Sequence, residues 1–380
     1  MTTPSDRPAS PGSFPSAAEG PWHLHGVLLP VGTAPQHVWV ANGRVVDRPV
    51  PDARDLPGGW ILPGGLVDAH AHLTMNFGRV MPHDDGTEAL MAANAGAQRR
   101  AGVLALRDAG CAWGGVPGEP ADGPRLQRAG SLIAPPGRGY PNVCRFVPAE
   151  ELVTVALREV AAGAQWVKIL GDVPGADGNW FAAPSNYPRE VLTTLVREVH
   201  AAGARVMGHA TGLGAANLVA VGVDSVEHGM ALTLDLIKRM ADRRIAWTST
   251  LATAHKHVGA LAAQQSPVGA YINSQLDRLR DLFPAAAEMG VPILAGTDEI
   301  PMGALGEELE WLTHYGLSPS QALAAGSTDG RAWLGFRAVS VGEAADLVTF
   351  DADPRLRLET AKHPAAVLFD GALIGGRARW

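Results

Sequence analysis

The sequence predicts an α/β protein: a (β/α)8 barrel carrying a small β-sandwich domain built from both chain ends. Three observations predict it. Short apolar runs alternate with amphipathic helical segments from about residue 66 to residue 337, the pattern of a parallel sheet with helical crossovers. Both flanks lack that alternation and read as strands between Gly, Asn and Pro turns. The 380-residue chain is long enough for one large domain and a smaller one.

Residues 1–21, rich in Pro, Ser and Ala, read as a disordered tail. They lack the basic and apolar regions of a signal peptide. Residues 22–64 form the N-terminal part of the small β domain, with WHLHGVLLPVG, QHVWVANGRVVD and GGWILPGG as strands. The barrel follows over residues 65–337, with strands at 65–72, 103–110, 125–133, 165–171, 204–210, 224–229, 245–251 and 292–298. Between them, PREVLTTLVREVHAAGA carries an apolar stripe at Val191, Leu192, Leu195, Val196 and Val199, as an amphipathic helix should. Residues 338–380 return to the small β domain through ADLVTFDADP and PAAVLFDGALIGG.

Composition narrows the function. Hydrophobic residues make up 46% and charged residues 18% of the chain, and 31 basic against 38 acidic residues give a net charge of -7. That sign disfavours nucleic acid and anionic membranes, which need a basic surface. No stretch approaches the roughly 20 apolar residues of a membrane span. The two cysteines, Cys111 and Cys144, read as free thiols of a reducing cytoplasm. The expected partner is a small-molecule substrate, with homo-oligomer formation left open.

In such barrels chemistry sits at the C-terminal ends of the strands. The first strand ends in His70-Ala71-His72, and strand alternation puts both imidazoles on one face, within reach of one metal. Lys168 lies inside the apolar fourth strand; the fifth strand ends at His209, the sixth at His228 and the eighth at Asp298. A single His or Asp at a strand end is ordinarily structural, and a lone Lys ordinarily reaches solvent. Six residues of ligand type converging on one barrel face from five strands read instead as a metal site. Asp68 reads as supporting the turn into the histidine pair. Glu227, next to His228, is expected on the opposite side of its strand, where it packs or supports the ligand residues from behind. Trp113, Tyr140, Trp180, Thr211 and His255 lie in or near loops at this face and are the candidate substrate contacts.

LPGGLVDAHAHL, WVKILG, VMGHATG, SVEHG and ILAGTD together resemble the amidohydrolase superfamily, in particular its imidazolonepropionase-like and Xaa-Pro dipeptidase-like subgroup. The resemblance covers about residues 22 to 376. It implies two divalent metal ions, zinc fitting the donor set best. His70, His72 and Asp298 would hold one metal, His209 and His228 the other, and N6-carboxylated Lys168 would bridge them. It implies hydrolysis of an amide or peptide-like C–N bond by a hydroxide held between the metals, with Asp298 as the catalytic proton acceptor and donor. The alternative is a mononuclear deaminase or a cyclic-amide or ester hydrolase on the same scaffold. Many dipeptidase-like relatives carry Tyr or His where this chain has Thr211, and that departure leaves a free carboxylate on the substrate in question.

Overall fold

A computed structural model describes residues 18–76, 79–80, 85–111, 120, 122–141, 143–173 and 180–377. The N-terminal segment contributes strands β1 (Ala18–Glu19), β2 (Trp22–Leu28), β3 (Pro35–Ala41), β4 (Arg44–Val46), β5 (Arg54–Asp55) and β6 (Trp60–Pro63). The barrel begins with β7 (Leu66–Ala71), followed by a minor pair, β8 (Met75–Asn76) and β9 (Arg79–Val80). Barrel strands β10 (Val103–Asp108) and β11 (Arg125–Ala134) come next, with β12 (Arg145–Phe146) paired to β11. The remaining barrel strands are β13 (Trp166–Leu170), β14 (Arg205–Ala210), β15 (Ser225–His228), β16 (Ala246–Ser249) and β17 (Ile293–Ala295). The chain closes with β18 (Leu347–Phe350), β19 (Ala366–Phe369) and β20 (Ala372–Gly376).

The helices are α1 (Asp85–Arg100), α2 (Leu152–Ala161), α3 (Arg189–Ala201), α4 (Gly214–Val221), α5 (Leu234–Arg243), α6 (Leu251–Ala262), α7 (Pro267–Glu288), α8 (Leu305–His314), α9 (Pro319–Ala325) and α10 (Thr328–Leu334). None among the described residues is long and apolar enough to cross a membrane.

Eight parallel strands run in the order β7-β10-β11-β13-β14-β15-β16-β17. They are the eight strands the sequence predicts, the polar third one included. The first and last meet where the Asp298 amide donates to the His70 carbonyl at 2.8 Å. Outward-facing Val167, Ile169, Val206 and Val226 pack on buried helix residues such as Leu192, Leu195, Val199 and Leu218, removing the apolar stripe of α3 from water.

The two chain ends pair into a nine-stranded sheet, β1-β20-β19-β18-β6-β2-β3-β4, with β5 on β2. It has its own apolar cluster around Trp22, Leu24, Val40, Ile61, Leu347 and Leu368. Ala18 and Glu19, inside the stretch expected to be tail, pair with Leu373 and Ala372. Ordered structure therefore starts earlier than the composition suggests, because edge strand β20 offers free ladder groups. Residues 1–17 lie outside the described residues.

Candidate metal centre

Four histidines, a lysine and an aspartate meet at one end of the barrel. The rings of His70 and His72 lie 5.4 Å apart, His70 and His228 5.0 Å, and His209 and His228 4.4 Å. Lys168 Nζ approaches His70 Nε2 at 3.4 Å. Asp298 Oδ1 stands 3.4 Å from His72 Nε2 and 3.9 Å from His70 Nε2. Donor atoms of His70, His72 and Asp298 all lie within 4.8 Å of one another. The structure thus brings together all six predicted ligand residues.

Three of the four imidazoles are held from behind. His70 Nδ1 bonds Glu227 Oε2 at 2.6 Å, His72 Nδ1 bonds the Gly110 carbonyl at 2.7 Å, and His228 Nδ1 bonds Thr250 Oγ1 at 2.7 Å. A carbonyl or carboxylate partner requires the proton on Nδ1 in the first two, leaving Nε2 as a lone-pair donor. His209 Nε2 is buried with no hydrogen-bond partner among the described residues. A buried nitrogen without a partner costs free energy unless something binds it. Free Nε2 atoms beside a carboxylate are the donor set a divalent metal takes, so these residues fit the group.

Electrostatics agree. Burial first, then the Lys168 charge, lowers His72 to about 4 and His209 to about 3, and pulls His70 well below the ordinary histidine value. His228 is lowered by burial and by its neighbours His209 and His70. All four are therefore neutral near pH 7, the ligand form. Burial also draws Lys168 down, against the pull of the Glu227 and Asp298 carboxylates. It pushes Asp298 up, against the pull of Lys168.

Two of the candidate ligands sit on backbone that side chains rarely adopt. His228 has φ 66° and Asp298 has φ 49°. At His228 the Gly229 amide donates to the Glu227 carbonyl at 2.8 Å, closing a three-residue turn of the strained γ kind. This turn corrects the expectation for Glu227. Simple alternation would put Glu227 and His228 on opposite faces, but the kink swings both into the barrel.

Asp68 supports the first strand as expected and also ties in the last. It accepts from the His70 amide at 3.1 Å, the Thr297 amide at 3.0 Å, the Thr297 hydroxyl at 2.6 Å and Gln98 Nε2 at 2.9 Å. It thereby couples the histidine pair to the turn that carries Asp298.

The candidate substrate contacts divide. Tyr140 stands edge-on to His209 at 6.4 Å between ring centres, at the centre. Thr211 is committed elsewhere: its amide and hydroxyl donate to Asp172 Oδ1 at 2.9 and 3.3 Å. His255 stacks on Trp311 at 3.6 Å, and its Nε2 meets the Tyr315 hydroxyl at 2.7 Å, placing its ring against α8. Trp113 lies outside the described residues, and of Trp180 only the backbone is described, opening the short helical turn Trp180–Ala182. Sequence reading gave no role to Arg107, which is fully buried and bonded to Glu227 at 3.0 Å. The available signal was a cation inside the apolar run VLALRDAG.

A model of the amidohydrolase family matches residues 156–376, more than half of the chain. The chain belongs to the amidohydrolase family. As an amidohydrolase it is a hydrolase acting on carbon–nitrogen bonds. It is 34% identical to the uncharacterized protein Rv2915c of Mycobacterium tuberculosis over 93% of this chain and 95% of that one. Its fold is similar to a prolidase complexed with N-methylphosphonate-L-proline, at TM-score 0.76 and 24% identity over 93% of this chain and 98% of the other. It is also similar to a Xaa-Pro dipeptidase with bound methionine, at TM-score 0.74 and 20% identity over 92% and 98%. An ochratoxinase of A. niger superposes at TM-score 0.77 and 18% identity over 95% and 97%. Xaa-Pro dipeptidases belong to the subgroup that the sequence motifs resemble.

Proposed function

We propose that this amidohydrolase is a metal-dependent enzyme that cleaves an amide or peptide-like bond of a small molecule. The observation that carries the reading is the convergence of inward-facing Nε2 atoms with Asp298 and Lys168 in one enclosed space. His70, His72 and Asp298 would hold one divalent ion and His209 and His228 a second, with N-carboxylated Lys168 between them. Divalent ions there would supply Lewis-acid polarisation of the substrate carbonyl and a water of lowered pKa. Zinc suits the nitrogen-and-oxygen donors.

The chain's own groups do the rest. Lys168 is 1% exposed, and burial disfavours its ammonium form. The neutral amine can add to carbon dioxide, forming an N–C bond and releasing a proton, which converts a cation into a carboxylate. Asp298 is the group that moves protons. Its side chain is 22% exposed, and burial raises its carboxyl above the usual range. A carboxylate so poised can take a proton from the attacking water and return it to the leaving nitrogen. Tyr140, beside His209, would meet the substrate. One structural neighbour is a Xaa-Pro dipeptidase by name and another a prolidase, which supports a peptide-like substrate. Lys168 also favours this reading over a mononuclear deaminase, which has no use for a bridging ligand.

Chelation tests the reading. Metal-free protein should lose hydrolysis of a panel of dipeptides and N-acyl amino acids, and Zn2+ with bicarbonate should restore it. Hydrolysis that survives complete metal removal would contradict it.

A further inference from the structure

Glu227 has no part in that chemistry, yet its carboxylate is fully buried inside the barrel. An ionised carboxylate there requires a counter-charge and hydrogen bonds on its lone pairs. Arg107 supplies the charge: its Nη2 lies 3.0 Å from both Glu227 oxygens. The guanidinium is itself fixed on every side. Nε donates to the Ala69 carbonyl at 2.7 Å, Nη1 to Ser225 Oγ at 3.1 Å and Nη2 to Thr248 Oγ1 at 2.9 Å. Its face lies 4.5 Å from the centre of the Trp166 ring. The Ser225 hydroxyl also donates to Glu227.

What remains of Glu227 is one lone pair on Oε2, and it points at His70 Nδ1 at 2.6 Å. We propose that Glu227, clamped by Arg107, is the positioning residue that sets the tautomer and orientation of His70 toward the metal. The inference rests on the metal-site reading above. Three features carry it. First, an ionised acceptor on Nδ1 obliges the proton to sit there, so Nε2 faces Lys168 and Asp298 as a lone pair. Second, the His70 ring cannot rotate without breaking a short charge-assisted bond. Third, Arg107 also holds the carbonyl of Ala69, so one side chain fixes both the backbone before His70 and the group behind its ring. His72 and His228 are backed by neutral oxygens, of Gly110 and Thr250. His70 is backed by a carboxylate, which raises the basicity of a ligating imidazole.

The alternative is an ion pair that merely fills the barrel floor, with His70 indifferent to it. Zn2+ affinity, measured by competition with a chelator, separates the two. Glu227→Gln keeps the shape but removes the charge. It should weaken Zn2+ binding about 10- to 100-fold and alter the visible spectrum of the Co2+-loaded protein, while the metal-free variant still unfolds cooperatively. Affinity and spectrum equal to the unsubstituted protein would overturn the proposal. A second readout stands even if that variant does not fold. In the metal-free, 15N-histidine-labelled protein, the His70 resonances, assigned by their loss in His70→Gln, should report a proton on Nδ1. A proton on Nε2 would overturn the proposal. If the unsubstituted protein binds no Zn2+, the metal reading fails, while the tautomer measurement still reports on the Glu227–His70 bond.

Discussion

His23 and His25 in β2 repeat the spacing of His70 in β7 and His72 just after it, yet the two pairs end in opposite surroundings. In β2, alternation buries Trp22 and Leu24 and turns both histidines outward. His23 Nδ1 bonds Asp55 at 2.6 Å, and its Nε2 bonds His37 Nδ1 at 2.8 Å. His25 stacks on His37 at 4.5 Å, and His23 on Trp39 at 4.0 Å. Both nitrogens of His23 are therefore satisfied by surface neighbours. In β7 every residue is buried, each ring is held through Nδ1, and other strands bring further donors to the free Nε2 atoms. A His-x-His pair becomes a candidate metal site only where a closed sheet removes water and aims other strand ends at the same point.

Substitutions at the two clusters should separate widely. With His209 in the proposed ligand role, His209→Ala should cut hydrolysis on the order of a thousandfold or more and lower metal content. His37→Ala should leave both unchanged. A loss of bound metal in His37→Ala would mean that the surface cluster also binds an ion, and the contrast would fail.

A smaller effect concerns acid. The folded chain holds His72 at about 4 and His209 at about 3, against 6.5 in the unfolded chain. As pH falls through 6.5, the unfolded state takes up protons first. Stability present above pH 6.5 is therefore lost as pH falls toward 4 and then 3, on the order of 3–5 kcal/mol per group. Glu308 acts in the opposite sense. Burial raises it from 4.5 to about 7, so its share of stability, present below 4.5, is lost as pH rises toward 7. Between pH 6.5 and pH 4, the urea midpoint of metal-free His72→Asn should lose ground less steeply, relative to its own value at pH 6.5, than that of the unsubstituted metal-free protein. An unchanged slope in His72→Asn would contradict the burial account. The smallest expected effect is on stability in His37→Ala, within about 0.5 kcal/mol at neutral pH, as for most surface substitutions.

Much of this was legible in the sequence. The barrel strands are apolar runs bounded by Gly and Asp, and the candidate ligand residues fall at their ends because the fold puts chemistry there. Tertiary geometry decided what was not legible. No local signal foretold the turn at His228 that brings Glu227 inside, since alternation is the default along a strand. Arg107 was visible as a charge in an apolar run, but its partner is 120 residues away. His255 follows the seventh strand as read, but α6 starts at Leu251 and carries its ring to Trp311. Thr211 has the right position and a hydroxyl, and Asp172 consumes both its donors.

The most direct test is metal per chain, by elemental analysis of protein grown and purified with added zinc and bicarbonate. The account predicts about two ions per chain, falling in Lys168→Ala. One ion would contradict the bridged pair and favour a mononuclear site, and none would contradict the metal centre itself.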